Sequence, residues 1–300
     1  MLAGAGFAAA NGLLWQRAFN LTPETVGDMA LANVGVVSAP TAIMEPDLAH
    51  VVMSQDAEGV PAHLSAQDKV RFFEQEFADD IYLSDAERPL LQSVLLRLER
   101  AQRTTGHGNF NLLSFDDLLK VARNYSAVGA FTAAELAFME KLFFTNARQY
   151  GFFGDKVIND LTATFSANKA VKIQHSGNYL FKGESLAHYE KLRKQIGPTI
   201  ILTSGIRSNV KQIHLFLAKT VKSGYNLSKA SRSLAPPGHS YHGIGDYDVG
   251  KVGFGESNFT DKFAETDEFK KMQDLGYVEI RYTRDNQLGV RFEPWHIKVV

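Results

Sequence analysis

Ser240-Tyr241-His242-Gly243-Ile244-Gly245-Asp246-Tyr247-Asp248, together with Glu293-Pro294-Trp295-His296 further along, is the pair of segments on which the reading of this chain turns. Two imidazoles, His242 and His296, and a carboxylate from the first segment are a sufficient set for a tetrahedral Zn²⁺ that keeps its fourth position open to water. Glu293 lies close enough to His296 in sequence to act on that water, which is the logic of a metallohydrolase. In the first segment His242 and Asp248 read as a turn entering a strand, where an even separation puts both side chains on one face. In the second, Glu293 and His296 would face opposite ways on a regular strand. Pro294 fixes its own φ and holds Glu293 extended, so the strand can bend and bring both to one cavity walled by Trp295. Singly, each segment reads as an ordinary structural feature, a strand or a polar strand end; only the combination points to chemistry.

The texture around these segments is mixed. A helix from Leu186 to Ile196 is stopped by Gly197-Pro198, and a β-rich run follows from Thr199 to Thr203. Ser204-Gly205-Ile206-Arg207-Ser208 then leads into a helix with Ile213, Phe216 and Leu217 on one side. A polar loop with Pro236-Pro237-Gly238 precedes the histidine segment. Beyond it, Phe269, Met272 and Leu275 mark a helix closed by Gly276, and Tyr277 to Tyr282 and Val290 to Glu293 read as strands. The expected class is α+β, a small antiparallel sheet with flanking helices.

From Thr22 to about Glu190 the pattern is mostly helical. Ser84 with Glu87, Ser114 with Asp117, and Thr132 with Glu135 read as capping boxes or their relatives. Apolar residues recur behind them at helical spacing, as Leu91, Val94, Leu95 and Leu98 do, then Leu136, Met139, Leu142 and Phe143. Residues 36–62, with Pro40, Pro46 and Pro61, read as a loop. Residues 151–183 are irregular around a Gly177-Asn178 hairpin signal, and the division is placed there: 1–180 a mostly helical accessory region, 181–300 the catalytic domain. Met1 to Trp15 is uncharged and rich in small residues. Residues 1–20 therefore read either as the remnant of an export signal without its basic beginning or as a plain N-terminal helix, and the apolar run is too short to span a bilayer.

Composition narrows the function. A formal net charge of −1 and the lack of a Lys/Arg block argue against nucleic acid as a partner. With no cysteine in the chain, disulfide scaffolds, cysteine zinc fingers and thiol nucleophiles are excluded, so a metal must be held by His, Asp and Glu. No residue pattern specifies an oligomeric state.

The order Ser-Gly-x-Arg-Ser, then Pro-Gly-x-Ser-x-His-x-x-Gly ending in Asp, then Glu-x-Trp-His resembles that of the VanY-type zinc D-Ala-D-Ala carboxypeptidases, within the wider group of lysostaphin-like and hedgehog-fold proteins. The resemblance covers about residues 185–300. It implies a hedgehog-like or D-Ala-D-Ala-peptidase-like fold, one Zn²⁺ on His242, Asp248 and His296, and Glu293 as catalytic base. It also implies Arg207, Gln212 and Ser240 in the substrate site, with Arg207 on either the peptide's terminal carboxylate or the oxyanion formed on attack. The family usually reads His-x-x-Gly-x-Ala-x-Asp; here the spacing is one residue shorter and the alanine is missing, so Asp246 stands as the alternative carboxylate ligand to Asp248.

The expected function is a zinc-dependent D,D-carboxypeptidase acting on peptidoglycan stem peptides in the periplasm or cell envelope, without stable membrane insertion. A cross-link endopeptidase with the same metal site, or a cell-wall-binding protein without turnover, are the competing expectations. His239 reads as a solvated loop histidine or a cleft residue. Gly250 to Gly255 lacks the ending of a phosphate-binding loop and reads as a flexible connection.

Overall fold

The computed structural model describes residues 64–300. The readings of residues 1–20 as a signal remnant and of 36–62 as a loop lie outside the described residues, as does the helical expectation for 22–63. Ser65–Val300 form one compact unit.

The helical layer holds α1 (Ala66–Arg71), α2 (Arg88–Thr105), the one-turn α3 (His107–Phe110), α4 (Phe115–Asn124) and α5 (Ala133–Phe144). Thr132 and Glu135 close a reciprocal capping box on α5, and the Ser114 side chain accepts from Asp117 N on α4, as their spacing predicts. Ser84 and Glu87 differ. Their side chains bond at 2.6 Å, but within the turn that precedes α2. The helix itself starts at Arg88, where Pro89 presets the φ of the first turn.

The core of this layer joins Leu91, Val94 and Leu98 of α2 to Leu118 of α4 and to Phe138, Met139 and Leu142 of α5. It also takes in Val210, Ile213, Phe216 and Leu217 of α7 (Asn209–Lys222). The apolar core therefore runs across the 180/181 division, and α7 belongs to both parts of the molecule.

The second layer is a sheet of β3 (Ile200–Ser204), β4 (Tyr247–Lys251), β5 (Glu279–Ile280) and β6 (His296–Lys298), in the order β3-β4-β6-β5 with every pairing antiparallel. A separate hairpin of β1 (Ala170–Lys172) and β2 (Tyr179–Phe181) turns through Gly177, whose φ of 70° favours glycine. The sheet buries Ile200, Leu202, Val249 and Ile297 against Leu192 and Ile196 of α6 (Glu184–Ile196) and Phe269 and Met272 of α9 (Asp267–Asp274). The short α8 (Leu227–Ser231) follows α7. This is the expected α+β arrangement, with helices packed on a small antiparallel sheet.

Two strand expectations change. Val290 to Glu293 is irregular, and the strand begins only at His296, because Pro294 has no N–H for a ladder and the chain turns there, with His296 N donating to Glu293 O at 3.1 Å. Of Tyr277 to Tyr282, only Glu279–Ile280 pairs. Gly250 is no flexible connection: it lies inside β4, where an added Cβ would come within 2.6 Å of Asn258 Cγ and 2.7 Å of Thr203 Cγ2.

Candidate metal centre

A 3₁₀ turn and two strands deliver the triad. His242 sits in a 3₁₀ turn, Tyr241–Gly243, and not on the strand that parity assumed. Asp248 follows on β4, and the pairing of β4 with β6 sets it directly opposite His296. One ligand-type atom from each of His242, Asp248 and His296 lies within 4.8 Å of the others, and all three side chains are buried.

Second contacts fix which atoms face inward. His242 Nδ1 lies 2.8 Å from Gly205 O, an acceptor, so that nitrogen carries the proton and Nε2 presents a bare lone pair. His296 Nε2 lies 3.1 Å from Asp246 Oδ2, which leaves its Nδ1 3.3 Å from Asp248 Oδ1. Asp248 Oδ2 accepts from Arg207 Nη2 at 2.5 Å. What remains is His242 Nε2 and Asp248 Oδ1, 3.2 Å apart, both fully buried and neither with a hydrogen-bond partner. Orphaned buried polar atoms are rare, and here two of them converge with a third lone pair. Imidazole and carboxylate donors at this closeness fit a divalent cation, and Zn²⁺ in particular accepts this set.

Asp246 does not join them. Its carboxylate accepts from Arg281 Nε at 2.8 Å, Arg281 Nη2 at 3.0 Å and Val299 N at 2.8 Å, in addition to His296. It precedes β4, so shared parity with Asp248 does not give it a shared direction. Its position is behind His296, which it orients.

Glu293 is buried beside the triad, with Oε2 3.7 Å from His296 Nδ1. Burial pushes its carboxyl up to about 7 against the counter-pull of His296 and Arg291. Burial likewise lowers His242 to about 4, helped by the Arg207 charge. Asp248 goes the other way: burial would raise it, but His242 and Arg207 hold it well below the usual carboxylate range. His296 is raised because the carboxylates of Asp246, Asp248 and Glu293 outweigh its burial.

The triad opens on a cavity of about 190 Å³ whose wall includes Arg207, Gln212, Ser240, Glu293 and Trp295, the residues expected there from sequence. Arg207 is already engaged, with Nε on Ser204 Oγ at 2.9 Å and Nη2 on Asp248. Gln212 donates to Ala235 O at 2.5 Å while its Oε1 is buried without a partner. Residues 183–300 match the family VanY, D-alanyl-D-alanine carboxypeptidase. The VanY match begins beside the 180/181 division and contains every residue of the triad and wall just named.

Among solved structures, the LdcB LD-carboxypeptidase is similar at 25% identity over 43% of this chain, with a TM-score of 0.36. A vancomycin-resistance D,D-pentapeptidase VanY in complex with Zn(II) is similar at 23% identity over 44% of this chain and 78% of that one, TM-score 0.33. VanYB in complex with D-alanine-D-alanine is similar at 20% identity over 50% of this chain and 84% of that one, TM-score 0.36. The chain spans 63% of the length of the LdcB structure. No curated protein matches it.

Sequence reasoning missed other residues of the wall, among them Tyr282, Phe259 and Arg291. Tyr282 sets its ring edge-on to His296 at 4.9 Å, Phe259 meets Trp295 edge-on at 6.0 Å, and Arg291 donates to Phe259 O at 2.9 Å with Nε 4.0 Å from Glu293 Oε1. Arg291 was open to discovery from its position just before Glu293; Phe259 and Tyr282 carry no spacing signal. His239 is buried against Phe152, its Nδ1 3.0 Å from Asp155 O, and is not part of the wall.

Proposed function

We propose that residues 181–300 are a zinc-dependent D,D-carboxypeptidase domain that removes the terminal D-Ala from peptidoglycan stem peptides. The observation that carries this reading is the convergence of buried, unpartnered His242 Nε2 and Asp248 Oδ1 with His296 Nδ1 beside Glu293, inside the region that matches VanY. His242, Asp248 and His296 would hold one Zn²⁺, which when bound lowers the pKa of a coordinated water toward ~7 and polarises a carbonyl.

The chain's own groups do the rest. Gly205 O and Asp246 fix the tautomers of the two histidines, so both bare nitrogens face the cavity. Glu293, whose burial makes its carboxylate a stronger base than an exposed one, takes a proton from the attacking water and returns it to the leaving amine. Arg207 carries a permanent charge on the wall and stabilises the oxyanion that forms on attack. Gln212 Oε1, unpartnered, and Ser240 are placed to meet the peptide backbone, and Trp295 closes one side. Stem peptides lie outside the cytoplasmic membrane, so the reading puts the enzyme in the periplasm or cell envelope. Among the described residues no helix is long and apolar enough to cross a membrane.

Digestion of purified muropeptides tests the reading. Free D-Ala should appear from pentapeptide stems, while shortened cross-links would identify an endopeptidase. Glu293→Gln should lose at least about 10²-fold in turnover and still bind one zinc per chain; wild-type activity in that variant would reject the mechanism.

A further inference from the structure

Arg291 stands on the cavity wall, and beyond its pull on the Glu293 carboxyl the chemistry above gives it no part. Its guanidinium lies between two aromatic faces, 4.7 Å from the ring centroid of Phe73 and 4.9 Å from that of Trp295. Nη2 donates to Phe259 O at 2.9 Å, and Nε is buried with no hydrogen-bond partner. The backbone is pinned as well, since Arg291 N donates to Arg232 O at 2.8 Å. The nearby carboxylate is Glu293, whose Oε1 is 4.0 Å from Nε, beyond hydrogen-bond reach.

The contrast with Arg207 is instructive. Arg207 has a carboxylate at 2.5 Å and spends two of its nitrogens on the protein. Arg291, only 17% exposed, keeps a buried N–H with no acceptor, and its carboxylate neighbour Glu293 is an ion-pair contact at 4.0 Å that makes no hydrogen bond to it. Leaving a buried N–H without an acceptor is costly, and a guanidinium held over two aromatic rings is already in the geometry that a planar carboxylate requires. Such a group is preorganised for an anion that arrives with the substrate.

Its distance from the reacting centre names the anion. Arg291 stands next to Glu293, which stands next to His296. A peptide's terminal carboxylate lies one residue, about 3.5 Å of extended chain, beyond the carbonyl to be cleaved. We propose that Arg291 binds the free C-terminal carboxylate of the peptide and so restricts cleavage to chain ends. Phe73, which lies outside the 183–300 match, is its positioning residue. This rests on the peptidase reading for its context, but carboxylate binding can be measured apart from turnover.

The experiment compares a peptide ending in D-Ala-D-Ala as the free acid with its C-terminal amide. Arg291→Gln should raise KM for the acid by on the order of 10- to 100-fold and leave the amide unchanged, so that the preference collapses. Arg291→Lys should restore part of it, and Phe73→Ala should shift it in the same direction by less. Calorimetric binding of both uncut peptides to Glu293→Gln and to Glu293→Gln/Arg291→Gln gives the second readout. Stronger binding of the acid that disappears with Arg291 supports the proposal, even if wild type cleaves neither peptide and the hydrolase reading fails. Equal binding of acid and amide by Glu293→Gln, or a parallel loss on both substrates in Arg291→Gln, overturns it.

Discussion

Replacing Asp246 with Asn should weaken the centre without touching a residue of the triad. The carboxylate serves two donors on Oδ2, His296 Nε2 at 3.1 Å and Arg281 Nε at 2.8 Å, and three on Oδ1, Arg281 Nη2 at 3.0 Å, Val299 N at 2.8 Å and Val300 N at 3.4 Å. Asn keeps the shape but offers one acceptor, and whichever way the amide turns, at least two donors meet an NH₂. Each buried donor left unpaired costs about 1–3 kcal/mol, and Arg281, 11% exposed, loses its neutralising charge. The expected destabilisation is about 3–5 kcal/mol, the range for breaking a buried ion pair from one side. Loss of the His296 anchor should lower zinc affinity by about 10- to 100-fold. The sign with pH follows from the carboxyl itself. Burial would raise it, but the hydrogen bonds from His296 and Arg281 hold it well below the usual range. Its contribution is therefore complete above the unfolded value of about 3.9 and is lost as pH falls through the lower folded value, so the full effect is present at neutral pH. Zinc titration against a competing chromophoric chelator and urea unfolding of the metal-free protein measure the two quantities. An Asp246→Asn protein with zinc affinity within about twofold of wild type would refute the second-contact argument.

Further outcomes can be checked in the same assays. Gly205→Ala should lower zinc affinity by at least about tenfold, because its Cβ would fall 2.0 Å from Tyr179 O and displace the carbonyl that orients His242; an unchanged affinity would exclude that role. His214, buried edge-on to Phe110, is lowered to about 4 chiefly by burial and also by Lys211 and His107. Because the unfolded chain takes up that proton first, stability is full above about 6.5 and falls toward 4, a loss of about 2 kcal/mol between pH 7 and 5 that His214→Leu should remove from urea unfolding curves. Phe216→Ala should cost about 3–5 kcal/mol, and a fragment of residues 181–300 should lack cooperative unfolding and bind a hydrophobic dye, since Val210, Ile213, Phe216 and Leu217 would face water.

The site was legible where residue type alone determines chemistry. Two histidines, a carboxylate and a glutamate near Pro294 name a metal-ligating set whatever backbone carries them, and the structure brings His242, Asp248, His296 and Glu293 together. The choice between Asp246 and Asp248 was not legible, because it depends on Arg281 and Val299, which approach from elsewhere in the chain. For the same reason the engagement of Arg207 with Asp248 could not be read from a motif that lists it as a substrate residue. In the fold, capping at Ser114 and Thr132 was local and therefore readable, whereas Ser84 was overruled by Pro89 downstream. The packing of α7, from the C-terminal part of the chain, into the core of the helical layer leaves no local trace, since its apolar stripe looks the same whichever neighbour covers it.

Asp248 and His296 are partners across the β4–β6 ladder, and that pairing joins segments far apart in the chain. Contacts of such long sequence separation close late in folding, after the helices have formed and collapsed. The cradle for the ion therefore does not exist in a half-assembled molecule, and a cation cannot serve as a template that nucleates it. Metal uptake during refolding should trail the return of helical signal, which makes the capture of the ion a timestamp for completion of the sheet.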